Sequence, residues 1–135
     1  MNGKYAMMQI LQADSTFGAI VGTGSDAKIY YNEVDQTAEL PLSIIKEDSI
    51  EPRDTKSGVS TLDDDYVYIT HFSKTEKQCG AMALAARNAL DRMPGTYNSI
   101  VVKGIQFITQ RSDTEELVNK KAITIEQLYK IMTQQ

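Results

Sequence analysis

The sequence predicts an α+β domain, with a mostly antiparallel sheet of about four or five strands packed against two or three helices on one face. Three observations predict it. Apolar residues recur three and four apart in residues 4–12 and 75–92, the spacing of one helical stripe. Residues 65–72 alternate as a strand does. The helical segments are grouped before and between strand-like ones. The chain has 135 residues, which suits one domain over 1–135 that buries about two-thirds of its unfolded surface.

The elements follow in order. Ala6, Met7, Ile10 and Leu11 form the stripe of a first helix over 4–12. Asp14-Ser15 mark a stop and restart, and Phe17, Ile20 and Val21 give a short second helix over 16–21. Gly22-Thr23-Gly24-Ser25 closes it, because glycine takes the left-handed backbone that ends a helix. Residues 28–31 read as a short strand, 32–39 as a polar loop, and 40–45 as a second strand with Pro41 near its start or edge. Residues 46–65 read as a long polar loop excursion, and such excursions in compact domains often carry function.

The clearest strand is 65–72, with Val67, Ile69 and His71 on one face and Tyr66, Tyr68, Thr70 and Phe72 on the other. The clearest helix is 75–92, capped by Thr75. Its stripe of Cys79, Met82, Ala83, Ala86, Ala89 and Leu90 is mostly small and lets it lie close to a sheet. Pro94-Gly95 ends it. Residues 99–109 read as a strand in which Gly104 marks a bulge or break. Residues 110–121 read as a charged loop with a helical turn near Glu115-Glu116-Leu117-Val118. Residues 122–132 fit both periodicities, and their β-branched start favours strand.

Composition narrows the function classes. The net charge is −4 and the basic residues are scattered, so sequence-specific nucleic-acid binding is not expected. One cysteine, Cys79, allows no internal disulfide and suits a reducing compartment. No stretch is long enough to span a bilayer, and the first residues lack the apolar run of a signal peptide. The expectation is a soluble protein made in the cytoplasm, with no membrane partner.

Candidate chemistry is thin. Asp63-Asp64-Asp65 are oxygen ligands suited to Mg²⁺ or Ca²⁺. Consecutive strand residues point alternately, however, so a solvated loop or a subunit contact is the preferred reading. His71 is the only histidine and has no nucleophile or acid beside it in sequence, so a structural role is preferred to a general base. Cys79 lies early in a helix, where a thiol is activated, but also on its apolar stripe, which favours an inert buried thiol. Gly22-Thr23-Gly24-Ser25 lacks the Gly-Lys-Ser/Thr ending of a phosphate loop. Tyr30, Tyr31, Tyr66, Tyr68, Tyr97 and Tyr129 fit two readings equally, a subunit interface or plain sheet surface. No catalytic constellation and no cofactor site emerges.

The order of segments resembles a known family. A helical start ends in Phe17-Gly18-Ala19-Ile20-Val21-Gly22, and Lys28-Ile29-Tyr30 follows. Leu40-Pro41-Leu42-Ser43-Ile44-Ile45 leads through a charged loop to Tyr66-Val67-Tyr68-Ile69-Thr70-His71-Phe72 and straight into Ser73-Lys74-Thr75-Glu76. An alanine-rich helix ends in Ala89-Leu90-Asp91, before Val102-Lys103-Gly104-Ile105, a loop and a final strand. Over residues 5–131 this is similar to the tail-completion proteins of long-tailed bacteriophages and prophages, including the tail-terminator type.

The resemblance implies a structural virion protein without catalysis or cofactor. It implies a homo-oligomeric ring, commonly a hexamer, on the head-proximal end of the tail tube. The ring stops polymerisation of the tube and joins the head connector or another neck protein. It also implies a virion location, with assembly in the host cytoplasm. Tyr30, Tyr31, Tyr66, Tyr68, Asp63, Asp64, Asp65 and Tyr129 are the interface candidates in that picture. Acidic residues 63–65 facing the lumen are expected to let DNA slide past by repulsion. Two alternatives stay open: another neck subunit of head-closure or adaptor type, and a small metal-dependent phosphoesterase using Asp63, Asp65 and His71.

Overall fold

The computed structural model describes residues 3–22, 24, 27–32, 39–52, 62–91, 94–97, 100–117 and 120–134. Its elements run α1 (Gly3–Ala13), α2 (Ser15–Val21), β1 (Ile29–Tyr31), β2 (Leu42–Pro52), β3 (Leu62–Ser73), α3 (Glu76–Leu90), β4 (Gly95–Tyr97), β5 (Ile100–Leu117) and β6 (Lys120–Gln134).

Helix ends follow local chemistry. Asp14 sits in extended backbone before α2, and its carboxylate accepts the Phe17 N–H at 2.8 Å. That side chain satisfies one of the free donors of the first turn. Gly22 closes α2 at φ 97°, donating its N–H to Gly18 O. Thr75 caps α3 by accepting from Gln78 N at 3.2 Å. Glu76 in the first turn and Arg87 in the last complement the helix dipole.

The strands form one sheet in the order β1-β2-β3-β6-β5-β4. The β1–β2 pair is parallel and every other pair is antiparallel. The α+β class and the mostly antiparallel sheet are therefore as expected, with six strands and three helices. Helices α1, α2 and α3 cover one face. The core lies there, where Met7, Leu11, Phe17, Val21, Met82, Ala86 and Leu90 meet Ile45, Val67, Ile69, Val102, Ile105, Tyr129 and Ile131. A smaller cluster of Leu42, Phe72 and Ala122, with Tyr30, Leu40 and Ile44 against it, sits on the other face.

Several boundaries differ from expectation. Residues 46–52 and 62–65 belong to β2 and β3. They are the two arms of a hairpin, not a loop excursion. Their backbone polar groups are satisfied by ladder pairing, which needs no apolar period. The remainder of that segment, 53–61, lies outside the described residues. Residues 110–117 likewise continue β5 against β6 in place of a charged loop with a helical turn. The three-residue β4 was not foreseen. The ambiguous last segment is strand, and the ladder shifts register between Val102 and Gly104, where glycine marked a bulge. Among the described residues no helix is long and apolar enough to cross a membrane.

Candidate functional site

Strand β3 carries most of the sequence candidates, and its two faces give them different fates. Asp65 points to the helices and is 1% exposed. Its Oδ2 accepts the Gly3 N–H of α1 at 2.6 Å. A Cβ on Gly3 would stand 2.8 Å from the Asp65 Cβ, so glycine is what allows the approach. Burial pushes the Asp65 carboxyl above its ordinary range, offset in part by the Gly3 N–H. Asp64 is buried on the opposite face and Asp63 is half-buried. The acidic run is thus strand, not solvated loop, and repulsion of DNA by an exposed Asp63-Asp64-Asp65 loop is not sustained.

His71 faces the helices at 0% exposed. Its Nδ1 lies 2.7 Å from Ser43 Oγ and its Nε2 lies 2.8 Å from Gln127 Oε1. Gln127 Nε2 donates to Ala83 O at 3.1 Å and to Gln110 Oε1 at 3.0 Å. The remaining Gln127 oxygen is therefore the acceptor. This assigns the proton to His71 Nε2 and leaves Nδ1 to accept from the Ser43 hydroxyl. Burial holds the imidazole down to about 4, partly opposed by the Gln127 contact. Ser43 and His71 have the chemistry of a nucleophile and base. Both are fully buried with every ring nitrogen engaged, so the arrangement is a structural network linking β2, β3, β6, β5 and α3.

The phosphoesterase alternative fails on distance. Asp65 and His71 are six residues apart on one strand, and at the rise of a strand that is about 20 Å. Among the described residues no three His, Cys, Asp or Glu side chains are grouped to hold a metal ion. Cys79 is buried, with Sγ 3.3 Å from His71 O and 3.4 Å from Ile123 O. Burial pushes its thiol up to about 11, so it is inert as a nucleophile.

The tyrosines separate in the same way. Tyr129 is 0% exposed and packs edge-on to Phe107 with ring centroids 5.6 Å apart. Burial raises its phenol. It is a core residue, not a contact surface, because the even–odd register of β6 turns it to the helices. Tyr31 is half-buried against Tyr5 at 5.5 Å, with Lys4 Nζ 5.2 and 5.7 Å from the two ring centroids. Tyr30, Tyr66 and Tyr68 are half-buried, and Tyr30 packs in the second cluster.

Tyr66, Tyr68, Thr70, Leu128 and Lys130 share the sheet face away from the helices. A shallow hollow on this face is lined by Lys46, Tyr68, Thr70, Arg111 and Glu126. An exposed Arg111–Glu126 ion pair at 3.3 Å crosses it. Neither of these two residues was singled out from sequence, since Arg111 lay in the presumed loop. A half-polar sheet face with half-buried tyrosines has the make-up of a protein-contact surface.

The model of the family described as Tail completion protein gp17 matches residues 5–130. No curated protein matches the chain. Among solved structures, a chain of "Virion of native gene transfer agent (GTA) particle" is similar, with TM-score 0.65 and 18% identity. The match covers 98% of this chain and 95% of that chain. At that identity the likeness is one of fold.

Proposed function

Because the chain belongs to the tail completion protein gp17 family, we propose that it is a structural virion protein. In this reading its single domain assembles as a homo-oligomeric ring, a hexamer, at the head-proximal end of the tail tube. The ring ends tube polymerisation and presents the surface that receives the head connector or neck. Its partners are further copies of itself, the tail tube protein and a neck protein. It is a virion component, assembled in the host cytoplasm.

The observation that carries this reading is the family match across nearly the whole chain. The site chemistry supports it. The residues with catalytic potential are sealed into the core, while the sheet face away from the helices carries half-buried Tyr66, Tyr68 and Tyr30. Tyrosine combines an apolar ring with a polar tip and suits protein contacts. Together with Tyr31 and half-buried Asp63, these residues are the proposed contact positions. A ring is the closed form of a heterologous interface, in which each copy meets the next through two different patches.

Native mass spectrometry over a range of concentrations, alone and with cognate tail tubes, tests this. A single closed stoichiometry, free or only on the tube, is expected. A protein that stays monomeric, or forms only a symmetric dimer, and ignores the tube contradicts the reading.

A further inference from the structure

We propose that copies of this chain join edge to edge, the outer edge of β2 at residues 46–52 pairing antiparallel with the outer edge of β5 at residues 103–109 of the next copy. The partner at this surface is a second copy of the chain, and the inference rests on the homo-oligomeric reading above.

Among the described residues both edges of the sheet are unpaired at matching places: β1 pairs with β2 at Ser43, Ile44 and Ile45, and β4 pairs with β5 at Ile100, Val101 and Val102. Among the described residues no strand pairs with the rest of either outer edge. An open edge is a row of unpaired N–H and C=O groups that a further strand can satisfy.

The two windows stand level across the sheet. The ladder runs Glu47–Val67–Tyr129–Phe107, then Ser49–Tyr66–Lys130–Gln106, then Ile50–Asp65–Ile131–Ile105. Three antiparallel steps separate β2 from β5, so the two strands run in opposite directions. A neighbour set beside this chain in the same orientation therefore meets β5 with an antiparallel β2, without a shift along the strands.

Two further features favour a second copy over an unrelated strand. Residues 46–52 hold Glu47, Asp48 and Glu51 against one lysine, Lys46, whereas residues 103–110 hold Lys103 and no acid. Glu51 stands level with Gly104, next to Lys103. The space beside the β5 window is a groove lined by Arg87, Asp91, Lys103, Gly104, Gln106 and Met132. The β5 ladder also shifts register at Val102/Gly104 and Phe107/Thr109. β2 shifts register as well, at Glu47/Ser49. Such irregularities discourage indiscriminate pairing along an edge and centre regular pairing on residues 49–51 against 104–106.

The test is a disulfide across the predicted contact. Directly opposite strand residues place their Cβ atoms about 4.5–5.5 Å apart, close enough for closure with small adjustment. The double variant Ser49→Cys/Gln106→Cys is oxidised mildly, alone and with tail tubes. A covalent ladder from dimer to the full ring is expected, with peptide mass spectrometry joining positions 49 and 106. Each single variant stops at dimer or below. Rings seen by native mass spectrometry without a 49–106 link overturn the edge pairing and leave the ring reading standing. Absence of any homo-oligomer in either condition overturns both.

If the cysteine variant misfolds, charge exchange reads the same contact. Lys103→Glu is expected to weaken assembly about threefold per interface at low salt, and adding Glu51→Lys restores it. An assembly midpoint unmoved by both changes contradicts the pairing.

Discussion

At the scale of single residues, burial decides what each ionisable group does. His71 is neutral in the folded protein, with a pKa of about 4 against the ordinary 6.5. Between those values the unfolded chain binds more protons, so stability rises with pH. The contribution is fully present above about pH 6.5 and is lost as pH falls towards 4. The loss is on the order of 3 kcal/mol. Asp65 works in the opposite sense: its raised carboxyl favours the folded state at lower pH, and that contribution fades as pH rises through its folded value. Urea titrations at pH 7.5 and 4.5 on wild type and His71→Gln separate the two. The variant is expected to lose most of the decline towards low pH, and an unchanged decline contradicts a buried neutral imidazole.

Asp65 offers a second test. Asp65→Ala removes the acceptor for the buried Gly3 N–H and is expected to cost about 1–3 kcal/mol. Asp65→Asn keeps an acceptor of the same shape and should cost less. Equal losses in the two variants, measured by urea unfolding, would show that the bond to Gly3 contributes little. The structural role of His71 was legible from sequence because no nucleophile or acid stands beside it, and the inert Cys79 because it lies on the apolar stripe of its helix. Tyr129 was misread, because the alternation of β6 did not reveal which face the helices would cover.

At the scale of elements, α3 is the cleanest case. Its small stripe lets it lie on the sheet, and Ala86 is 0% exposed while Leu84 is 60% exposed. Ala86→Arg forces an uncompensated charge into the core and is expected to unfold the domain at a cost of several kcal/mol. Leu84→Arg should leave the melting temperature nearly unchanged. A fully stable Ala86→Arg protein, by circular dichroism melting, would falsify the assigned helix face. At its N-terminus Thr75→Ala removes the cap on Gln78 N and should cost about 1 kcal/mol.

Strong periods made α1, α3 and β3 readable from sequence. The outer halves of β2 and β5 were not readable, for a physical reason. In these halves the chain is held by backbone pairing to β3 and β6, and their side chains include Lys46, Glu47, Asp48, Arg111 and Asp113. Pairing of that kind leaves no apolar period. The same property hid the two open edges, since edge and height are facts of register and not of composition.

At the scale of the whole molecule, the chain is a six-stranded sheet covered by helices on one face. Its other face carries the second buried cluster around Leu42, Phe72 and Ala122 beside half-buried Tyr66 and Tyr68, and among the described residues its two outermost strands pair along three residues each. The resemblance in segment order pointed to the family from sequence alone, and the match over residues 5–130 agrees with it. The central claim is that the protein caps the tail tube as a ring. Its most direct test is electron microscopy of tail tubes polymerised with and without it. Capping predicts tubes of bounded length with a ring at one end only, and unbounded tubes in its absence. Tubes that grow equally long with the protein present, and carry no ring at either end, would contradict it.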